Sequence, residues 1–262
     1  WPAYNRALIN RGNIAIWFNP KTQWYAEPQG KQGRSQTYSD IAIQCCLMIK
    51  SLFRLTLRMV TGFVQSLIKL CGLDWTAPDF TTLCRRQKYI DIRISYQKSR
   101  DGLQLLVDST GLKFLGEDEW KRKKHQPEYR RQWRKLHIGI DAETLQIRAV
   151  QLTTNNVSDS QVLGDLLDQI PLDERIDSVY TDGAYDTKCC RKVISDRQAH
   201  AVIPPRKNAK PWKDSKISSI ERNELLQTVK HLGRTLWKKW SGYHRRSLVE
   251  TKMHCIKLLG DR

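Results

Sequence analysis

Leu103-Gln-Leu-Leu-Val107-Asp108-Ser-Thr-Gly111 is the stretch whose reading decides the class of fold. Its first five residues form a short apolar, branched run, which reads as a buried strand of a sheet covered on its faces by helices. The run ends in a carboxylate, and Gly111 follows as a turn residue would.

The texture set by that strand continues downstream. His137-Ile-Gly-Ile and Ile147–Leu152 flank Asp141-Ala-Glu-Thr, a hairpin pattern. Ser158 or Asp159 caps a helix over Ser160–Ile170, whose Val162, Leu163, Leu166 and Leu167 are apolar. Ile176-Asp-Ser-Val-Tyr-Thr-Asp182-Gly183 is again a short strand with a carboxylate at its end and a glycine behind it. Thr187–Arg197 reads as a helix, and Ala201-Val-Ile203 as a strand closed by Pro204-Pro205. Strand, strand, strand, helix, strand, helix, strand is an α/β order. Two basic stretches interrupt it: Lys121–Lys135, with Trp120 and Trp133 interleaved, and residues 206–240.

Upstream, residues 1–36 are polar and aromatic with Pro and Gly breakers, and read as an irregular arm. From 37 to 99 the pattern is helical: Ile41–Val60 capped by Ser39 or Asp40, a second helix from about Leu57 or Thr61 to Cys71, and a short third one, Phe80–Lys88. The third carries Thr81, Thr82, Arg85, Arg86 and Lys88, so the unit resembles a helix-turn-helix that contacts DNA.

At the other end, Tyr243, Arg246, Glu250 and Lys257 fall at about 0°, 300°, 340° and 320° on a helix turning 100° per residue. One carboxylate is thereby set between two cations and a phenol, with Val249, Met253, Ile256, Leu259 and Cys255 spread over the buried side. A solvated surface pair between Arg246 and Glu250 is the plain alternative.

The charge balance bears on which reading applies. The 262 residues carry a net charge of +18, with 40% hydrophobic residues, nine Trp and nine Tyr. Such a surplus on a chain able to build a core points to a polyanion, nucleic acid first. The seven cysteines lack C-x-x-C spacing and suit neither a zinc site nor a disulfide framework, so reduced thiols in a cytosolic protein are expected. No signal peptide or membrane-spanning run is visible. Both ends look cut, the chain opening on Trp1 and stopping at Arg262.

Three acids thus stand at special places, Asp108 and Asp182 at strand ends and Glu250 on a helix face. Each alone fits a turn former or a cap. Together they suit hard divalent cations, which take oxygen ligands from separated elements. Two such ions about 4 Å apart support in-line phosphoryl displacement.

With these residues in place, the chain resembles bacterial insertion-sequence transposases of the DDE type, in the insertion-sequence four/five group marked by Y-x2-R-x3-E-x6-K. Tyr243, Arg246, Glu250 and Lys257 match that signature at every spacing, and Asp108 in L-V-D-S-T-G and Asp182 in Y-T-D-G-A-Y-D resemble its two catalytic blocks. The resemblance implies an RNase H-like catalytic domain over 100–262, a five-stranded mixed sheet flanked by helices, behind the helical unit. It implies that Asp108, Asp182 and Glu250 are catalytic and ligate two Mg²⁺ ions, with Mn²⁺ able to substitute. Tyr243, Arg246 and Lys257 would attend the DNA phosphates. Arg85, Arg86, Lys88, Trp237 and Lys238 would contact DNA, the tryptophan (or Trp240) by stacking on a displaced base unless it packs in the core. The segment 206–240 would be a DNA-contacting insertion. The implied activity is Mg-dependent cleavage and strand transfer at terminal inverted repeats of double-stranded DNA. It would be carried out by a homodimer on DNA in the bacterial cytoplasm, at the nucleoid, with no membrane partner. The alternative is a truncated, inactive remnant that only binds DNA, and a general nuclease of the same fold would share the site chemistry.

Overall fold

The computed structural model describes residues 21–28, 30, 35–90, 96, 98, 99, 102–113 and 133–260. Most of the arm expected over 1–36, and the basic residues 121–132, lie outside them. The chain divides into two units, Trp1–Arg93 and Ile94–Arg262.

In the first unit, three helices share one core: α1 (Asp40–Leu52), α2 (Leu57–Leu70) and α3 (Phe80–Arg86). Each starts at a side-chain cap. Ser39 Oγ accepts from the Ala42 N–H, Thr56 Oγ1 from Met59 and Asp79 Oδ1 from Thr82, satisfying donors that the first turn leaves without partners. The single helix expected over Ile41–Val60 is broken at residues 53–56. Arg54 there takes a left-handed conformation (φ 52°), and Thr56 caps a new helix that turns Val60, Val64 and Ile68 onto Ala42, Ile43, Cys46 and Ile49. A tertiary packing preference thus overrode a continuous periodic pattern. Trp24, from the arm, is buried in this core, stacked on Trp75 with ring centroids 4.8 Å apart. Its indole N–H donates to the Thr76 carbonyl at 2.9 Å.

The second unit is built on a five-stranded sheet of β1 (Leu103–Lys113), β2 (Trp133–Asp141), β3 (Ile147–Thr154), β4 (Ile176–Tyr180) and β5 (His200–Val202). Their order is β3-β2-β1-β4-β5. β1, β2 and β3 are antiparallel neighbours, while β4 and β5 run parallel to β1. This mixed sheet with helices on both faces is the RNase H-like arrangement expected.

The two faces follow from strand alternation. Leu103, Leu105, Val107 and Val179 point into a core closed by α4 (Asp159–Asp168) and α5 (Lys188–Asp196). Leu106, Ile138, Ile140 and Tyr180 point the other way, where Leu225 and Val229 of α6 (Ile217–Leu232), Trp237 of α7 (Arg234–Trp240), and Val249 and Met253 of α8 (Ser247–Gly260) cover them. Burial on both sides explains why β1 reads as a continuous apolar run. Among the described residues no helix is long and apolar enough to cross a membrane, and the cysteines form no disulfide.

Candidate functional site

Asp108 lies inside its strand, not at a tip. β1 continues to Lys113 because β2 pairs with it throughout, Asp108 opposite Ile138 and Gly111 opposite Lys135. Gly111 is therefore a strand residue, and a Cβ there would come within 2.9 Å of the Trp133 ring. What ends is the neighbour on the other side: β4 stops at Tyr180, paired with Leu106. Beyond that level β1 has no parallel partner, and Asp108 borders the gap.

Continuing the Leu106–Tyr180 register by two residues brings Asp182 level with Asp108, and parity directs both toward the face that α8 covers. Asp182 also caps the short 3₁₀ turn Gly183–Tyr185, one carboxylate oxygen accepting from the Ala184 N–H at 2.8 Å. The bland reading of this acid as a cap is thus true of one oxygen. Asp108 accepts from the Ser109 N–H at 2.8 Å. Burial raises its pKa; Arg246 opposes the shift, and the like charge of Asp182 adds to it.

Glu250 arrives on the first turn of α8, but Tyr243 and Arg246 precede that helix on a 3₁₀ turn entered through Gly242 (φ 67°). The 100° wheel drawn over all four signature residues therefore fails at its start, since a 3₁₀ turn advances 120° per residue. Tyr243 points inward, against Trp237 with ring centroids 5.8 Å apart. Burial raises its pKa. Lys257 lies two turns beyond Glu250, half-buried. Of the stripe assigned to the buried side, Val249 and Met253 are in the core and Ile256 packs on it. Cys255 is exposed, because on α8 it lies about 100° around the helix from Ile256 and farther still from Val249 and Met253, and the Leu259 side chain lies outside the described residues.

Arg246 ties the site together. Its Nη1 donates to Asp108 Oδ2 at 2.5 Å and its Nη2 to Glu250 Oε1 at 2.5 Å. The side chain is 17% exposed and the guanidinium lies 6.0 Å from the Tyr243 ring centroid. Burial opposes its charge, but Asp108, Tyr243 and Glu250 outweigh that and raise its pKa. Lys238 Nζ lies over the other reach of Tyr243, 5.1 Å from the ring centroid. Carboxylate oxygens from a strand, a turn and a helix suit a hard divalent ion in kind. In position, a guanidinium takes two of them, and among the described residues no three His, Cys, Asp or Glu side chains are grouped closely enough to hold a metal ion.

The other sequence-derived DNA contacts divide. Trp237 is 2% exposed and fills the core between β4, α6 and Tyr243, so its indole offers no free face for a base; apolar surface on a helix facing the sheet goes inward. Trp240, on the same helix, is 77% exposed. In the first unit Arg85 and Lys88 are exposed, whereas Arg86 is bound to the Asp40 carboxylate and donates to the Tyr38 carbonyl at 3.0 Å, anchoring α3 to the start of α1.

One cluster escaped the sequence reading. Asp186, four residues after Asp182, is buried between Arg191 of α5 (3.0 Å) and Arg222 of α6 (3.0 Å). Arg222 also lies 4.5 Å from the Trp212 ring centroid and donates to the Lys210 carbonyl at 2.6 Å. This buried acid ties part of the 206–240 segment to the sheet domain. No local spacing in the sequence marks Arg191 and Arg222 as buried partners of this acid.

A family model described as a transposase DDE domain matches residues 99–262, and a second of the same description matches residues 9–117. Among solved structures, the chain is similar to a Mos1 transposase paired-end complex with the left transposon end, at 9% identity and a TM-score of 0.28 over 81% of this chain and 80% of that one. It is also similar to a Mos1 mariner paired-end complex with Mn, at 11% identity and a TM-score of 0.30 over 98% and 92%.

Proposed function

The chain belongs to the DDE-domain transposases, and on that premise we propose that Asp108, Asp182 and Glu250 are the acids that direct cleavage and joining of DNA at the ends of its element. The observation that carries this reading is Arg246 joining Asp108 and Glu250 at 2.5 Å each, on the face toward which Asp182 is also directed.

In this reading Asp108, Asp182 and Glu250 would hold two Mg²⁺ ions, or Mn²⁺ in their place, and the ions would supply Lewis-acid chemistry for phosphoryl transfer. The rest falls to the chain. Asp108 is held by the Ser109 N–H and Asp182 by the Ala184 N–H, so both carboxylates keep their orientation. Glu250 rides on a helix anchored from behind by Val249 and Met253. Tyr243 backs Arg246, and Arg246 and Lys257 meet the phosphates next to the scissile bond through charge-assisted contacts. Lys238 with the exposed cations of 206–240 contacts duplex DNA, and in the first unit Arg85 and Lys88 do so too. Two copies bring two ends together, which places the work at DNA in the bacterial cytoplasm.

Incubating the protein with duplex DNA carrying the element's ends and Mg²⁺ or Mn²⁺ tests this. Nicking at the end by the wild type, lost in Glu250→Gln, is expected. Sequence-specific binding without nicking in both proteins would sink the catalytic reading and leave a DNA-binding protein. Cutting that ignores the end sequence would point to a general nuclease.

A further inference from the structure

Arg246 is bonded to the same two carboxylates that the proposed metal ions need. Its Nη1 and Nη2 take Asp108 Oδ2 and Glu250 Oε1, one guanidinium spanning a strand and a helix. The Asp108 half is no surface pair, the arginine being 17% and Asp108 14% exposed, whereas the Glu250 carboxylate, 56% exposed, takes its share of the guanidinium at the solvent edge; the arginine is seated beside the Tyr243 ring. Asp108 is 14% exposed, and Arg246 and the Ser109 N–H are the partners of its carboxylate. A carboxylate so buried needs a cation beside it.

We propose that Arg246 is the resident counter-ion of the metal-free site, and that a divalent cation enters by exchange, displacing the guanidinium from Asp108 and Glu250 and freeing it for a DNA phosphate. This rests on the reading of the three acids given above. The exchange keeps a cation at Asp108 throughout, so that buried carboxylate is never left bare. It also couples the two ligands. Metal releases the arginine that phosphate binds, and phosphate holds the arginine away from the acids that metal binds, so each strengthens the other.

The sign of one measurement separates this from a merely supporting role. An arginine that only positions the acids would, when removed, weaken metal binding; a resident competitor would, when removed, strengthen it. Mn²⁺ alone is titrated into the full chain, with free Mn²⁺ followed by its electron paramagnetic resonance signal at fixed ionic strength. Arg246→Met is expected to bind Mn²⁺ about tenfold tighter than the wild type, the scale on which an adjacent cation shifts a carboxylate's proton affinity. Arg246→Lys, whose single ammonium is a compact point charge without the planar fork, should fall between. Arg245→Met removes the same charge one residue away, from a side chain bonded to Gln104, and should change Mn²⁺ affinity little. Without metal, the thermal midpoint of Arg246→Met should fall, and Mn²⁺ should restore more of it than it adds to the wild type.

Equal or weaker Mn²⁺ binding by Arg246→Met, with the wild type and Arg246→Lys binding normally, overturns the exchange and leaves the three-acid site standing. An equal gain in Arg245→Met also overturns it, reducing the effect to net charge. No Mn²⁺ bound by any of these proteins overturns the exchange and the metal-site reading together. Binding lost in Glu250→Gln and tightened in Arg246→Met supports both.

Discussion

Asp186 shows what a single buried charge does in this molecule. Burial pushes its carboxyl up, but Arg222 and Arg191 outweigh that and hold its pKa below the ordinary 3.8. Because the folded state binds the proton less readily than the unfolded chain, the pair stabilises fully above that value. The stabilisation is lost as pH falls through 3.8 toward the folded pKa. Asp186→Asn is expected to cost about 3–5 kcal/mol at neutral pH, since two guanidinium groups lose their buried partner. Urea denaturation across pH 3 to 7 should show the wild type and variant converging at the acid end. A constant gap would assign the effect to packing. The same logic makes Arg86 a different kind of cation from Arg85 and Lys88, although the three are nearly adjacent in sequence.

At the scale of elements, the placing of Glu250 depends on how α8 is seated. Val249 and Met253 are its buried anchors on β1 and β2. Met253→Ala should destabilise the second unit by about 2–5 kcal/mol. It should also reduce DNA nicking at temperatures where the protein is still folded, because the helix loses its hold one turn from Glu250. Nicking unaffected under those conditions would mean that the 3₁₀ turn and Arg246 alone position the acid. Helix α5 offers a comparison: Thr187 caps it by accepting from the Cys190 N–H at 3.2 Å, and Thr187→Ala should cost about 1 kcal/mol in thermal or chemical unfolding. Gly242, at φ 67°, is what lets a 3₁₀ turn precede α8, and it could not have been told apart from a helix breaker by pattern alone.

For the whole molecule, the net charge of +18 argues for binding dominated by phosphate contacts. Affinity for duplex DNA should fall steeply with salt, with a log–log slope of about −0.9 for each phosphate neutralised. Lys257→Met and Lys88→Met should each lower the slope by about 1. Arg86→Met should chiefly lower the thermal midpoint, since its partners are Asp40 and the Tyr38 carbonyl. An Arg86→Met slope change as large as that of Lys88→Met would mean that the ion pair opens on DNA.

The order of the five strands and of the two helices between them, the α/β class and the helical character of residues 37–99 were determined by sequence alone, whereas α6 and α7 within 206–240 were not. The legible signals are local: an apolar run at Leu103–Val107, a helix period over Val162–Leu167, a cap at Ser39 or Asp40. The family was legible for a related reason, because a signature of fixed spacings survives in a linear string. Tertiary structure alone decided the rest. It split the expected Ile41–Val60 helix to let its second half fold back on the first, and it carried β1 past Asp108 because β2 was there to pair with it. It sent Trp237 into the core and Trp240 outward, since only one face of α7 meets the sheet. It also joined Arg246 to Asp108, 138 residues earlier in the chain, and Asp186 to Arg222. Contacts between distant residues are set by the packing of whole elements, and no local spacing encodes which cation will meet which acid.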